Sequence, residues 1–569
     1  MKDGNLYILK GDVNGIQNFI YNVYQGQGGV AKILRARSFL ISIIPYAVLK
    51  ILKDLLEEKF PGKYTLTPDP DVKSLSDKFL INEGGGFTAE IEVNVPDKEF
   101  KDFIENFKFS LEKFFIQELQ GELGLSLAYV KSENSNSFSE VYTNLEISKK
   151  RKFSLYLEKI TQEPPILDKA ENRVICPVCR TFFKEESEEM CKFCQEMKTL
   201  GEKLTKYGNF DIKRQIDEFD IKIYTFKLEK EGQNSKEYFL VLNRSTGKEH
   251  HRLITVPVIS KNITEKEIHE VKQELDVEEL SPGTIAPFEL IAEASRGDPK
   301  LGYLVVDVDN LGLIFQSLKD KETRKYLSKR LNEFFTFKVS EIALENFRPT
   351  EVEVGNKNLK KILDETLIYI LYSGGDDLFA IGPWDKIIDF AIAINKEFLT
   401  FKKELVSNER LRNICHLVNN LTLSAGLAVV KPKFTVRVAA EWCKDAEDLS
   451  KSLGKNRITL FGETLKWEHF ESTVEDAKCW SNLVEEGEVP RRFIYRFYKL
   501  YLDLIYYPRK FKQTKYLEFY PRIYYLIART LDKKYQSVAT SLVEKTLNED
   551  EFGIKIFCNY ILTATRGKS

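Results

Sequence analysis

The chain has 569 residues and a mass of 66.0 kDa, too long for a single hydrophobic core, so several compact units are expected. Apolar residues make up 43% and charged residues 30%, which excludes a disordered or membrane-embedded protein, and a net charge of −1 excludes binding to nucleic acid through bulk charge. The longest apolar stretch, Phe39 to Leu52, carries Pro45 and Lys50 and falls short of a membrane span. No leader opens the chain, since Leu6 to Lys10 already reads as a strand, and a cytoplasmic location with no membrane contact is expected.

In chain order, YILKGDVNGIQNFI (Tyr7 to Ile20) reads as a strand, an Asp-Val dipeptide and a helix start. FLINEGGGFTAEIEV (Phe79 to Val93) then reads as two strands joined by glycines, followed by a helix over Lys98 to Gln120 and a strand over Leu125 to Lys131. Cys176-x-x-Cys179 and Cys191-x-x-Cys194 give four thiolates in paired knuckles, the pattern of a closed structural Zn²⁺ site. The other cysteines, Cys415, Cys443, Cys479 and Cys558, are scattered and read as buried apolar residues. A polar, strand-like region runs from about Lys206 to Ser281. YLVVDVDNLGLIF (Tyr303 to Phe315) and YILYSGGDDLFAIG (Tyr369 to Gly382) follow, then a helix over Trp384 to Lys402 and a strand over Leu421 to Val430. Beyond them, RRFIYRFYKLYLDLIYY and PRIYYLIARTLDKKY repeat apolar residues at helical spacing.

These segments form a repeat. Tyr7 to Ile20 lies over Tyr303 to Phe315, placing Asp12 on Asp307, and the glycine hairpin lies over the Gly-Gly-Asp-Asp hairpin, placing Gly86 on Asp376 and Phe87 on Asp377. The shared order β-α-α-β-β-α-β predicts two ferredoxin-like palm domains. The expected organisation is an α/β multidomain chain: first palm over 1–150, a linker with the four-cysteine insert over 151–285, second palm over 286–465, and a helical bundle over 466–569.

A strand ending in Asp307 beside a hairpin carrying Asp376 and Asp377 brings together three hard oxygen donors, suited to Mg²⁺ or Mn²⁺ and hence to nucleotidyl transfer. Gly374 and Gly375 allow a tight turn open to a phosphate. Asp309, Asn310 and Gly312 lead into a helix whose N-terminal amides offer an anion site, and Lys455, with Arg457, is placed to neutralise a triphosphate. The first copy lacks the hairpin carboxylates and should be inactive. Its Gly84, Gly85 and Gly86, with Asp12, Asn14 and Gln17, leave two roles open, a second nucleotide site or a structural pseudo-domain. Basic and aromatic residues interleave in Lys32 to Phe39, Ser148 to Phe153, Lys203 to Arg214 and Tyr506 to Arg522, which suits either an RNA-facing surface or a solvated helix face.

GDVNGIQNFI with AKILRARSF, the degenerate GGGF hairpin, the four cysteines, FELIAEASRG leading into LVVDVDNLG, then YSGGDDLFAIG, LTLSAGLAVVKP and KNRITLFG together resemble the large subunit of type III CRISPR effector complexes, in its Csm-type version. The resemblance implies a subunit that, with other protein subunits, CRISPR RNA and target RNA, joins ATP 3′ to 5′ into cyclic oligoadenylates and releases pyrophosphate. It implies metal binding by Asp376, Asp377 and Asp307, an ATP site lined by Ser373, Gly374 and Gly375, and a second ATP on the first palm. Many members begin with an HD nuclease domain. Here the sequence opens on the first palm and none of the five histidines precedes an Asp, so no DNase activity is expected. Two other readings are a free-standing GGDEF-like dinucleotide cyclase and an idle RNA-binding scaffold.

Overall fold

The computed structural model describes residues 4–24, 29–70, 85–132, 137–160, 173–206, 225–230, 233–239, 255–277, 280–318, 320–349, 352–354, 357–359, 362–510, 516–546 and 552–567. In the first palm, β1 (Asn5–Asn14), β2 (Tyr64–Thr67), β3 (Gly86–Val93) and β4 (Gly124–Lys131) form a sheet in the order β2-β3-β1-β4. Its helices are α1 (Ile16–Tyr21), α2 (Val30–Lys59), α3 (Asp97–Leu119) and α4 (Ser137–Lys150). The strand residues alternate as a pleated ribbon requires. Tyr7 and Leu9 enter the main core, while Ile8 packs with Val141 and Leu145 of α4 on the opposite face.

The second palm repeats this order with β5 (Leu301–Val308), β6 (Tyr369–Gly374), β7 (Asp377–Pro383) and β8 (Leu423–Val430), and adds β9 (Arg457–Leu460), parallel to β8, and β10 (Glu463–Lys466). The YLVVDV run is apolar almost throughout because both faces are covered. Tyr303 and Val305 face the core shared with the first palm, and Leu304 and Val306 face the core built with α6 (Trp384–Val406) and the C-terminal helices. A helix α7 (Val436–Ser452) follows β8 just as α4 follows β4.

The two palms meet through α2. Ser38 Oγ donates to the carbonyl of Leu371, and the Tyr369 hydroxyl donates to the carbonyl of Ala31 at 2.7 Å. This contact overturns one reading of the sequence. In the Lys32 to Phe39 segment Lys32, Arg35, Arg37 and Phe39 are all buried, so it is neither an RNA-facing surface nor a solvated face. The polar region expected to be strand-like contains the strands Thr225–Lys230 and Gln233–Phe239, but also a helix, Glu265–Leu275, because Thr264 and Glu267 close a capping box. Residues 207–224 and 240–254 of that region, with part of the Lys203 to Arg214 cluster, lie outside the described residues, as do 511–515 of the Tyr506 to Arg522 cluster. From Trp467 to Ala564 the described elements are helical, as expected of the tail. Of the four scattered cysteines, Cys443 and Cys558 are buried as expected, Cys415 is only partly so, and Cys479 is exposed. No helix among the described residues is long and apolar enough to cross a membrane.

Candidate active site

The second-palm hairpin turns over two residues, Gly375 and Asp376, with Gly374 paired to Asp377 across the ladder. Only Gly375 takes a positive φ, 68°, at the first central position of the turn, where a side chain would be strained, while Gly374 is extended. Asp377 opens β7 and lies in register with Asp307 on β5, and the turn is tied down by the Val308 amide donating to the carbonyl of Asp376 at 3.2 Å. All three predicted carboxylates therefore meet at one end of the sheet.

Crowding raises the proton affinity of the two hairpin carboxylates. Burial and the neighbouring Asp307 push Asp376 up from 3.8 to about 6, and burial with Asp376 and Asp307 pushes Asp377 well above its usual range. The countercharge is Lys451 of α7, which forms an ion pair with Asp307 and, at 2.6 Å, a second one with the fully buried Glu447. Burial alone would lower the proton affinity of Lys451, but the two carboxylates outweigh it and raise it. Among the described residues only the four cysteines converge as tightly as a single bound ion requires. The aspartates, with the Lys451 ammonium on Asp307, do not close to that degree.

The backbone ladder corrects the alignment of the two palms by one residue. Asp12 pairs with Gly86 as Asp307 pairs with Asp377, and the Val13 amide donates to Gly85 as that of Val308 does to Asp376. Gly86 thus corresponds to Asp377 and Gly85 to Asp376; Gly84 lies outside the described residues. The first palm has kept more than its hairpin suggests. Lys149 of α4 pairs with Asp12 at 2.7 Å, the counterpart of Lys451 on Asp307, and Asn14 donates to Ser126 where Ser424 donates to Asp309.

Several predicted nucleotide contacts have other partners. Asp309 is buried, and its carboxylate accepts from Thr422, Ser424 and the Asn456 amide, which pins the loop before β9 to the end of β5. It is thereby occupied within the protein and closed to a ligand. Asn310 accepts from Lys455 at 2.7 Å and donates to the carbonyl of Asn420, so Lys455 is tied to the rim. The helix after Asn310, Leu311–Ser317, has only seven residues, and Gly312 has open space around it. Ser373 donates to the carbonyl of Phe335, holding β6 against the π-helical segment Phe334–Lys338.

Lys451 escaped sequence reasoning, although extending the repeat into the helix after the last palm strand would have paired it with Lys149. Two tyrosines were also missed. Burial and the carboxylates push Tyr372 and Tyr21 well above the usual phenol range, Tyr372 beside Asp377, Asp376 and Asp12, and Tyr21 beside Asp377. Tyr21 comes from the first palm and packs its ring 4.4 Å from Phe379. Asp12 also raises Asp376, so the strand ends of the two palms face each other across one site.

The four cysteines are buried together, with Cys179 and Cys191 sulfurs 3.7 Å apart. That matches the edge of about 3.8 Å expected of a tetrahedron with Zn–S bonds of about 2.3 Å. Backbone amides of Cys191 and Cys194 donate to the Cys176 and Cys191 sulfurs at 3.3 and 3.4 Å, as thiolate knuckles require, so the donor set fits zinc. The knuckle sits against α2 through α5 (Lys192–Lys206), with Phe193 6.1 Å from Phe19 and the Arg37 guanidinium over both rings.

A duplicated palm with one carboxylate-complete hairpin and a four-cysteine knuckle defines a palm-domain protein. Residues 300–459 match the family model of the Cas10/Cmr2 second palm domain, and residues 5–59 match Csm1 subunit domain B. The Cas10/Csm1 protein of Enterococcus italicus, named as a single-strand-specific deoxyribonuclease of subtype III-A, is 25% identical over 86% of this chain and 59% of its own length. That of Thermococcus onnurineus is 24% identical over 83% and 58%. Solved structures of a Csm1-Csm4 cassette, apo and in complex with cA4, match at TM-scores of 0.59 and 0.58, with 18% identity over 99% of this chain and 70% of theirs. Over most of its length the chain is homologous to Cas10/Csm1 proteins of subtype III-A CRISPR systems, and it spans about three-fifths of the length of the curated relatives it matches.

Proposed function

We propose that this chain is the nucleotidyl-transferase subunit of a type III CRISPR complex, converting ATP into cyclic oligoadenylates when target RNA is captured. The observation that carries the reading is the meeting of Asp307, Asp376 and Asp377 at one end of adjacent strands, beside the Lys451 ammonium. Csm1-Csm4 neighbours in complex with AMPPNP, pppApA and cA4 support it.

Mg²⁺ or Mn²⁺ held by these aspartates would polarise an attacking 3′-hydroxyl and screen the departing pyrophosphate. The chain's own residues supply the remainder. Lys451 brings a cation to the triphosphate once it leaves Asp307, and Ser373, Gly374 and Gly375 line the floor on which ATP lies. Asp12, Asn14, Gly85 and Gly86 face this floor from the first palm and form the seat of a second nucleotide. Zn²⁺ in the Cys176, Cys179, Cys191 and Cys194 knuckle has a structural role, bracing α2 where the palms join. The domain limits proposed from the sequence, with the second palm over 286–465, keep every metal-binding aspartate in one unit.

The complex assembled with its partner subunits and CRISPR RNA, given target RNA, ATP and Mg²⁺, should yield adenylate oligomers by mass spectrometry. Asp376→Ala with Asp377→Ala should abolish them, and full synthesis by that double variant would refute the assignment.

A further inference from the structure

The same helix follows the last palm strand in both copies, and in both it sends a lysine to the central-strand aspartate: Lys149 to Asp12 and Lys451 to Asp307. One turn before that lysine the copies diverge. In the first palm the position is Leu145, 2% exposed, and in the second it is Glu447, 0% exposed. A buried carboxylate is costly unless it is paired, and here two lysines pair with it, Lys451 at 2.6 Å and Lys444. Packing does not demand the acid, because the equivalent helix buries a leucine at the same place. Nor is there slack around it, since a Cβ on Gly426 of β8 would lie 2.4 Å from the Glu447 amide. The acid is found in the copy that kept its hairpin carboxylates.

We infer that Glu447 is a positioning residue for Lys451, drawing the ammonium off Asp307 so that a divalent cation can take its place there. An ammonium and a dication compete for the same Asp307 oxygens. Without Glu447 the nearest anion left to Lys451 is Asp307, and the lysine stays on the metal site. With it, the ammonium has a second anchor from which it remains beside the position of the triphosphate. This inference rests on the nucleotidyl-transfer reading, and its test is separable from that reading because it needs no turnover.

Mn²⁺ binding to the full chain, followed by electron paramagnetic resonance without nucleotide, is compared for wild type, Glu447→Leu and Glu447→Gln. Tryptophan fluorescence confirms folding. Leucine is the first palm's own residue at this position, and glutamine keeps the shape without the charge. Both variants should bind Mn²⁺ on the order of tenfold more weakly, the scale of a hydrogen bond to a charged group. Adding Lys451→Met to Glu447→Leu should restore wild-type affinity or better, a rescue that a merely structural role would not give. Unchanged affinity in both single variants, or no rescue, overturns the inference. Wild-type Mn²⁺ binding that survives Asp376→Ala with Asp377→Ala instead removes the nucleotidyl-transfer reading, and the inference with it.

Discussion

Asp376→Asn should make the metal-free protein more stable while destroying its activity. In the metal-free fold, burial and Asp307 raise the Asp376 carboxyl from 3.8 to about 6. At about 1.4 kcal/mol per unit this corresponds to about 3 kcal/mol of destabilisation when the group is ionised in both folded and unfolded states. The sign follows from proton binding. Below pH of about 4 the carboxyl is protonated in both states and the penalty vanishes; between that value and about 6 the folded state binds more protons, so stability falls as pH rises. Asparagine keeps the size and removes the charge. The variant should therefore gain up to about 3 kcal/mol at pH 7.5 in EDTA and nothing near pH 4. Urea unfolding followed by tryptophan fluorescence is selective here, because the four tryptophans, Trp384, Trp442, Trp467 and Trp480, all lie in the second palm and the helices after it. Added Mg²⁺ should stabilise wild type and leave the variant unmoved. Equal destabilisation by Asp376→Asn at both pH values would refute the reasoning.

Lys451→Met should lower oligoadenylate synthesis by about a hundredfold in steady-state assays of the RNA-activated complex, as expected when one preorganised charge is lost. Gly426→Ala would place a methyl group 2.1 Å from the Cys443 carbonyl oxygen and lift α7 off β8. It should cost about 1–3 kcal/mol in urea unfolding and lower activity as well, since Lys451 moves with the helix. Cys176→Ser with Cys179→Ser should reduce zinc from one ion per chain to none by elemental analysis. The same variant should raise amide exchange in α2, against which the knuckle packs, and unaltered exchange there would contradict the bracing role.

The candidate site residues were legible in the sequence because they form local patterns. Paired Cys-x-x-Cys knuckles, an Asp closing an apolar strand and a Gly-Gly-Asp-Asp turn each carry their signal within a few residues, and the repeat of the strand order exposed the duplication. The hairpin register was less secure, because in Gly84-Gly85-Gly86 no side chain marks the position; backbone pairing of Asp12 with Gly86 fixed it one residue from the alignment. Asp309 has the same residue type as Asp307 two positions along the chain. Only its burial against Thr422, Ser424 and Asn456 shows that it holds the loop and leaves ligand binding to others. The Lys32 to Phe39 segment reads as basic surface until the second palm covers it. Sequence alone singled out three aspartates and four cysteines as candidate metal ligands and showed that one palm keeps its hairpin carboxylates. Tertiary structure decided which charge opposes them, because Lys451, itself paired with Glu447, reaches Asp307 through the packing of a helix on a sheet, and residues so far apart in the chain leave no mark in local sequence.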